Sequence, residues 1–394
     1  YESSNMQRKG ILLSLAVILC LSASGNAKTN VDIVWDMQNN FNELFAAVNA
    51  ELSPSFALEL GVSTEGHMQS GAGQTFAVSK LGLNYQNSWL KVFAGALPPQ
   101  FNRAAGIEVH EVLLPDSSPS VPILGYTLEF GPVTYTKLQG DISRKVGYKR
   151  LGVHYLRWEP TSWLALGFGE AVVFSQPFPG DIYYYTVPIL PYYLAKYLPG
   201  INTSIDNTIF YGDGRLTLPR LALYGALLIN EFPMGPTETN PKLYAITLGL
   251  TSGKLIGGWD LSLEFSRVSD QAYSNARPEN LFTYDDESLG HRLGDDLTAC
   301  DIWLSGYLPK LDAEAKFGVY YQKLGNTDVA PWIGAQDPVP PEKTYGIKLG
   351  LVKPFEKLQL SFDLELGYQT NEDHVLDQAG YHSRAVIKGS WRLP

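Results

Sequence analysis

The chain has 394 residues, of which 45% are hydrophobic and only 18% charged, with 23 Tyr, 37 Gly, 8 Trp and a formal net charge of −10. A coiled coil needs more charge, a disordered chain has fewer aromatics, and a bundle of membrane helices needs several long apolar runs, so these classes are excluded. The acidic balance and the lack of a basic run also argue against nucleic acid as a partner.

The one long apolar run, Ile11 to Ala23, follows Arg8 and Lys9 and precedes Ser24, Gly25, Asn26 and Ala27. A basic patch, a short apolar stretch and small residues make a secretory signal peptide. The stretch is too short to span a bilayer as a helix. Cleavage is expected after Ala27, with Met6 as the start and residues 1–5 an upstream extension. Residues 28–394 then form a single domain. Cys20 follows Leu19, which is too large for a lipidation site, and Cys300 is left with no internal partner. Removing Arg8, Lys9 and Glu2 leaves 28 basic residues of 30 and 39 acidic of 40, a net charge of −11.

Beyond Ala27 the dominant signal is strict apolar/polar alternation, the mark of a strand with two unlike faces. Leu358, Leu360, Phe362, Leu364, Leu366 and Tyr368 alternate with Gln359, Ser361, Asp363, Glu365, Gly367 and Gln369. Trp259 to Ser266, Leu311 to Gln322 and Ile387 to Leu393 repeat the pattern. Segments of about ten residues with aromatics near their ends describe a transmembrane antiparallel β-barrel. A secreted β-sandwich is the alternative, but its strands usually run about five or six residues.

Bacterial barrels have short periplasmic turns and long extracellular loops. One parse satisfies that alternation. Its strands lie near 30–37, 44–52, 56–64, 75–84, 88–95, 121–129, 131–140, 148–157, 163–173, 206–216, 220–229, 241–251, 258–268, 298–308, 311–322, 343–352, 357–369 and 382–393. That makes eighteen, or sixteen if the weak first strand drops out. The long connections include 96–120, 174–205, 269–297, 323–342 and 370–381, and both termini fall on the periplasmic side. Gly106 to Leu114 looks strand-like but breaks the alternation if placed in the wall. It is therefore assigned to the loop 96–120, folded inward to narrow the pore. The last strand ends Trp391-Arg392-Leu393-Pro394, with its aromatic three residues short of the end. Outer-membrane lipid and the barrel-assembly machinery are the expected partners.

The stretch Lys149 to Phe232 resembles the Wzi family of capsule-assembly outer-membrane proteins. The resemblance is carried by Val153-His154-Tyr155-Leu156-Arg157-Trp158-Glu159-Pro160 and Trp163-Leu164-Ala165-Leu166-Gly167-Phe168-Gly169-Glu170. It continues through Pro188, Pro191-Tyr192-Tyr193, Asp206-Asn207 and Tyr224-Gly225-Ala226-Leu227-Leu228-Ile229-Asn230. It implies an eighteen-stranded barrel that binds surface polysaccharide. The family also carries a periplasmic helical bundle, for which this chain leaves little room. Asn39 to Ala50 is read either as a short helix or as the second strand.

Glu170 shares its parity with Leu164, Leu166 and Phe168, and a bare carboxylate against lipid is unfavourable. Either a β-bulge turns it inward toward Arg157 or Arg215, or it lies at the membrane rim. Arg157 has luminal parity, and His154 is read as a structural hydrogen-bonding residue. Asn207, Tyr211, Asp213 and Arg215 share one parity and are read as a polar lining near the pore mouth. Tyr183, Tyr184 and Tyr185, in the loop 174–205, are candidates for stacking on sugar rings. Asp285, Asp286, Glu287, Asp295 and Asp296 are read as a solvated external loop, with calcium as the sharper alternative. No catalytic motif and no spaced metal-ligand set is present, so neither enzymatic activity nor a cofactor is expected. His110, beside Glu108 and Glu111, is the one cluster that a hydrolase reading would use. The expected functions are polysaccharide binding or, alternatively, passive diffusion of small solutes.

Overall fold

A computed structural model describes residues 28–38, 41–67, 75–143, 148–175, 191–195, 206–230, 243–284, 287–327, 329 and 339–393. The wall strands are β1 (Lys28–Gln38), β2 (Phe41–Ser53), β3 (Phe56–His67), β4 (Thr75–Gln86), β5 (Leu90–Leu97), β6 (Val121–Phe130), β7 (Val133–Asp141), β8 (Arg150–Thr161) and β9 (Leu164–Phe174). They continue as β10 (Asn207–Leu218), β11 (Leu221–Asn230), β12 (Tyr244–Ile256) and β13 (Trp259–Val268). A small hairpin, β14 (Thr283–Tyr284) and β15 (Glu287–Ser288), stands in the following loop. The wall is completed by β16 (Leu297–Leu308), β17 (Ala313–Leu324), β18 (Glu342–Pro354), β19 (Leu358–Thr370) and β20 (Ala379–Leu393).

Eighteen strands form one antiparallel sheet. β20 closes it by pairing with β1, placing Ile387 opposite Trp35. The barrel expected from loop lengths is therefore the barrel observed. β1 pairs along its length with both β2 and β20, so the count is eighteen rather than sixteen. The segment Asn39 to Ala50 enters β2 at Phe41 and forms no helix among its described residues. Only residues 39–40 separate β1 from β2. This connection breaks the rule of long extracellular loops that holds elsewhere.

Two faces follow from the alternation. On the outside, Phe56, Trp89, Phe130, Trp158, Trp163, Tyr307 and Phe355 are exposed near the periplasmic ends of their strands. Trp35, Tyr345, Tyr368 and Tyr381 are exposed near the opposite ends. Trp and Tyr rings collect at the two membrane interfaces because one end of each is apolar and the other wet. Between the girdles lie Leu349, Phe317, Val319, Phe362 and Leu366, also turned outward.

The inside is divided. From β5 to β16 the inward residues pack with two long loops into a dry cluster that includes Leu113, Leu138, Tyr155, Ile209, Leu228, Tyr273 and Phe282. From β17 round to β4 the inner wall carries charge pairs instead. Arg384 binds Asp36, Lys388 lies 3.8 Å from Asp32, and Lys80 lies 3.1 Å from Glu59.

This division gives a stability prediction. Leu349→Arg places a charge on the lipid face between Tyr345 and Phe355 and is expected to cost about 2–4 kcal/mol. Ser361→Arg, on the luminal parity of the next strand, is expected to cost under about 1 kcal/mol. Equilibrium urea unfolding in lipid vesicles measures both, and equal costs would overturn the assignment of faces.

Candidate functional site: the plugged lumen

The connection from β5 to β6, residues 98–120, folds into the lumen as the sequence suggested for Gly106 to Leu114. Its centre is nearly sealed from solvent, with His110, Val112, Leu113 and Leu114 all buried. A polar segment in that position must satisfy its own backbone. Arg103 does part of this from within. Its guanidinium lies 2.7 Å from Glu111 and donates to the carbonyls of Leu113 and Leu114. Burial pushes the Glu111 carboxyl above its ordinary range, while Arg103 pulls it back down. The Asp116 amide donates to the other Glu111 oxygen at 2.6 Å.

The wall and the loop 269–296 supply the rest. Glu264, on β13, is buried and accepts the amides of Glu108 at 2.9 Å, Val109 at 2.9 Å and His110 at 2.5 Å. The Tyr224 hydroxyl donates to it at 2.8 Å. Four donors on one buried carboxylate make a strong, oriented anchor. Tyr273 donates from its hydroxyl to the Val112 carbonyl at 2.8 Å, and Thr247 donates to the His110 carbonyl.

His110 carries a second anchor. Its Nε2 is 2.5 Å from Asp301 Oδ2, and its Nδ1 is 3.1 Å from Nε2 of His291. The Leu293 amide donates to His291 Nδ1 at 3.1 Å. That donor fixes the tautomers along the chain. The proton of His291 sits on Nε2 and points to His110, and His110 in turn donates from Nε2 to Asp301. Lys348 completes the row, 2.7 Å from the other Asp301 oxygen. Burial pushes His291 well below the ordinary imidazole value, and the charge of nearby Arg292 acts the same way.

A third contact lies on β8 and β10. The Tyr155 hydroxyl donates to Asp213 at 2.9 Å and Tyr211 donates to the same carboxylate at 3.0 Å. The Ala104 amide donates to the Tyr155 oxygen at 2.8 Å, and the Phe101 ring packs 4.6 Å from Tyr155. Gly167 on the intervening strand makes room for this bond. A Cβ there would stand 1.9 Å from the Tyr155 oxygen and 2.2 Å from Asp213.

The residues singled out in the sequence are distributed accordingly. Asn207, Tyr211 and Asp213 have luminal parity but are buried under the loops and do not line an open mouth. Asn207 donates to the Asn280 carbonyl at 3.0 Å and so holds the loop 269–296. Arg215 stays exposed beside Gly106 of the plug. Arg157 faces the lumen and pairs with Glu159.

Glu170 does not join Arg157 or Arg215. The register through β8, β9 and β10 is regular at Glu170, so no bulge turns it inward. It faces outward, 3.1 Å from His154, which supports the structural reading of that histidine. The short helix α1 (Tyr192–Ala195) covers the pair. The Tyr192 amide donates to Glu170 at 2.6 Å, and its ring stacks on His154 with centroids 4.4 Å apart. Lys137 donates to the Tyr192 hydroxyl at 2.6 Å. The carboxylate avoids lipid because a loop folds over the outer wall, not because the strand twists.

Asp295 is buried rather than solvated. It accepts the Tyr273 amide at 3.1 Å, and burial pushes its carboxyl well above the usual range. Among the described residues no three His, Cys, Asp or Glu side chains are grouped to hold a metal ion. Asp285, Asp286, Tyr183, Tyr184 and Tyr185 lie outside the described residues.

Fold, girdles and packed lumen together define a bacterial outer-membrane β-barrel. No protein-family model matches the sequence, and no curated protein matches it. Among solved structures the chain is similar to Wzi of Escherichia coli, an outer-membrane protein involved in group 1 capsule assembly and described as a carbohydrate-binding β-barrel. The TM-score is 0.64 at 13% identity, covering 98% of this chain and 88% of that one. It is also similar to OpdL of Pseudomonas aeruginosa, with TM-score 0.52 and 10% identity over 94% of this chain and 99% of that one. OprD of Pseudomonas aeruginosa gives 0.52 and 8% identity over 93% and 95%. The resemblance to Wzi read from Lys149 to Phe232 thus extends, as a fold, over nearly the whole chain.

Two predictions test the anchors. Glu264→Ala leaves three amides and a hydroxyl without their acceptor and is expected to lower stability by about 3–5 kcal/mol. The expected readout is protease cleavage within 98–120 while the wall stays intact. The second concerns pH. His291 binds a proton more weakly in the folded state than when exposed. Its contribution is fully present above about 6.5 and is lost as pH falls below that value, because the released loop takes up the proton. Protease sensitivity of 98–120 should therefore rise between about pH 6.5 and 5, and His291→Gln should flatten that rise.

Proposed function

We propose that this chain is a plugged outer-membrane barrel that binds surface polysaccharide at its extracellular side. The observation that carries the reading is the plug, held by Glu264, Asp301 and Tyr155 across the lumen. A segment tied down at three points suits a closed platform better than a wide passage. The similarity in fold to a carbohydrate-binding barrel supports the same choice. The loop bearing Tyr183, Tyr184 and Tyr185 would supply flat rings with hydroxyl tips for sugar stacking. Export by the signal peptide 1–27 and insertion by the barrel-assembly machinery belong to this reading. No catalytic step is part of it.

The second reading, a porin for small solutes, is favoured by one observation. The inner wall from β17 to β4 carries charge pairs rather than apolar packing.

Conductance separates the two. In planar bilayers the purified protein is expected to show no large steady current. A large open-state current would overturn the plugged reading and support the porin. In a glycan-binding assay the triple substitution Tyr183→Ala, Tyr184→Ala and Tyr185→Ala is expected to weaken binding at least about tenfold, one stacked base-sized ring being worth about 1–3 kcal/mol. Unchanged binding would remove that loop from the site.

A further inference from the structure

Two rows of side chains run side by side on the outer face between β13 and β20. The lower row is aromatic. Tyr321, Tyr345, Tyr368 and Tyr381 are successive cross-strand partners, and all have outward parity. The ring centroids of Tyr321 and Tyr345 are 5.1 Å apart, as are those of Tyr368 and Tyr381. This row marks the extracellular edge of the apolar band.

The upper row lies one outward step closer to the extracellular end. Arg267 is opposite Thr298, Thr298 opposite Lys323, and Lys323 opposite Lys343. Three cations thus share one ledge directly above the tyrosines. Among the described residues none of the three has an ion-pair partner. Glu342, next to Lys343 in sequence, has the other parity and accepts the His374 amide at 3.3 Å. Like charges directly opposite each other across a strand pair are destabilising. Lys323 and Lys343 stand in that relation, in a chain whose net charge is −10. An anion between them removes the repulsion.

A cavity of about 450 Å³ opens beside the ledge, lined by Arg267, Thr298, Lys323, Tyr244, Asp270 and Asp296. The two carboxylates balance the two cations of the cavity, and Lys343 adds a third cation along the row. Basic clusters at the membrane surface recognise anionic lipid headgroups. The ledge is on the lipid side of the wall, so a ligand in the lumen does not reach it.

We propose that Arg267, Lys323 and Lys343 bind the phosphate-bearing headgroup of an outer-leaflet glycolipid, with Thr298 as a hydroxyl partner. Its acyl chains lie against the tyrosine row and the aliphatic wall below. The inference is independent of what the extracellular loops bind.

The test uses the full chain in detergent, with bis-phosphorylated lipid A, the same lipid dephosphorylated, and inorganic phosphate as probes. Native mass spectrometry and tryptophan fluorescence titration give the affinity. The triple variant R267Q/K323Q/K343Q is expected to bind bis-phosphorylated lipid A about a hundredfold more weakly than the unchanged protein. K353Q/K357Q, at the periplasmic end, is expected to bind it as the unchanged protein does. Should the triple variant fail to run as a heat-resistant barrel, K323Q alone is used, with an expected loss of about fivefold. Binding of lipid A to the unchanged protein should weaken as salt is raised. Equal affinity for the dephosphorylated lipid, or an affinity for lipid A that the substitutions leave unchanged, overturns the proposal. Binding of inorganic phosphate as tight as that of lipid A also overturns it, since the site would then recognise a free anion.

Discussion

The closing pairing of β20 with β1 is the constraint on which the rest depends. In hydrocarbon an unpaired backbone amide or carbonyl costs several kcal/mol, so a sheet can cross only if it has no edge. Closure then imposes the two-residue period, because every strand has lipid on one side and the lumen on the other. The low charge fraction and the abundance of Tyr and Trp follow from that single requirement. A barrel this wide also encloses space that its own wall side chains do not fill. That space must hold either water or chain.

Here much of it holds chain. The segment 98–120 enters an interior that is dry on one side, and its backbone would be costly there without partners. Several of its buried donors meet specific wall groups, as with Glu264, Asp301 and Tyr155. The wall residues that hold the plug come chiefly from β8, β12, β13 and β16, while the charged wall from β17 to β4 joins the apolar packing through Leu324 at the end of β17. One barrel thus combines a packed interior with a wet one. The resemblance to both a carbohydrate-binding barrel and to OprD is a resemblance of wall, and the filling decides what the wall is used for.

The wall was legible because its signal has a period of two and repeats eighteen times. Even β1, with its short stretch of alternation, was placed within two residues at its start. The inward path of Gly106 to Leu114 was legible from loop lengths, since a strand there spoils the alternation. Glu170 was legible as a conflict, a carboxylate on an apolar parity. Its resolution was not, because it depends on a loop laid over the outside by Tyr192. Likewise Asn207, Tyr211 and Asp213 had the right parity, yet parity does not say whether solvent reaches them. Glu264, His110, His291 and Asp301 lie far apart in sequence and converge only through the fold. In sequence His110 stands beside Glu108 and Glu111, but its partners in the fold are 181 and 191 residues away. Gly167 gave no signal beyond being a glycine in a strand.

Those separations bear on the order in which the barrel is made. The plug lies between β5 and β6, ahead of its anchoring strands in the chain. Glu264 and Asp301 follow it by more than 150 residues. The segment has these partners only once β13 and β16 are in place. Its hydrogen bonds are among the most non-local in the molecule, and such contacts form slowly. Docking of the plug is accordingly a late step, taken once β16 is in place. The interior of this barrel is thus complete only after the strands that hold it.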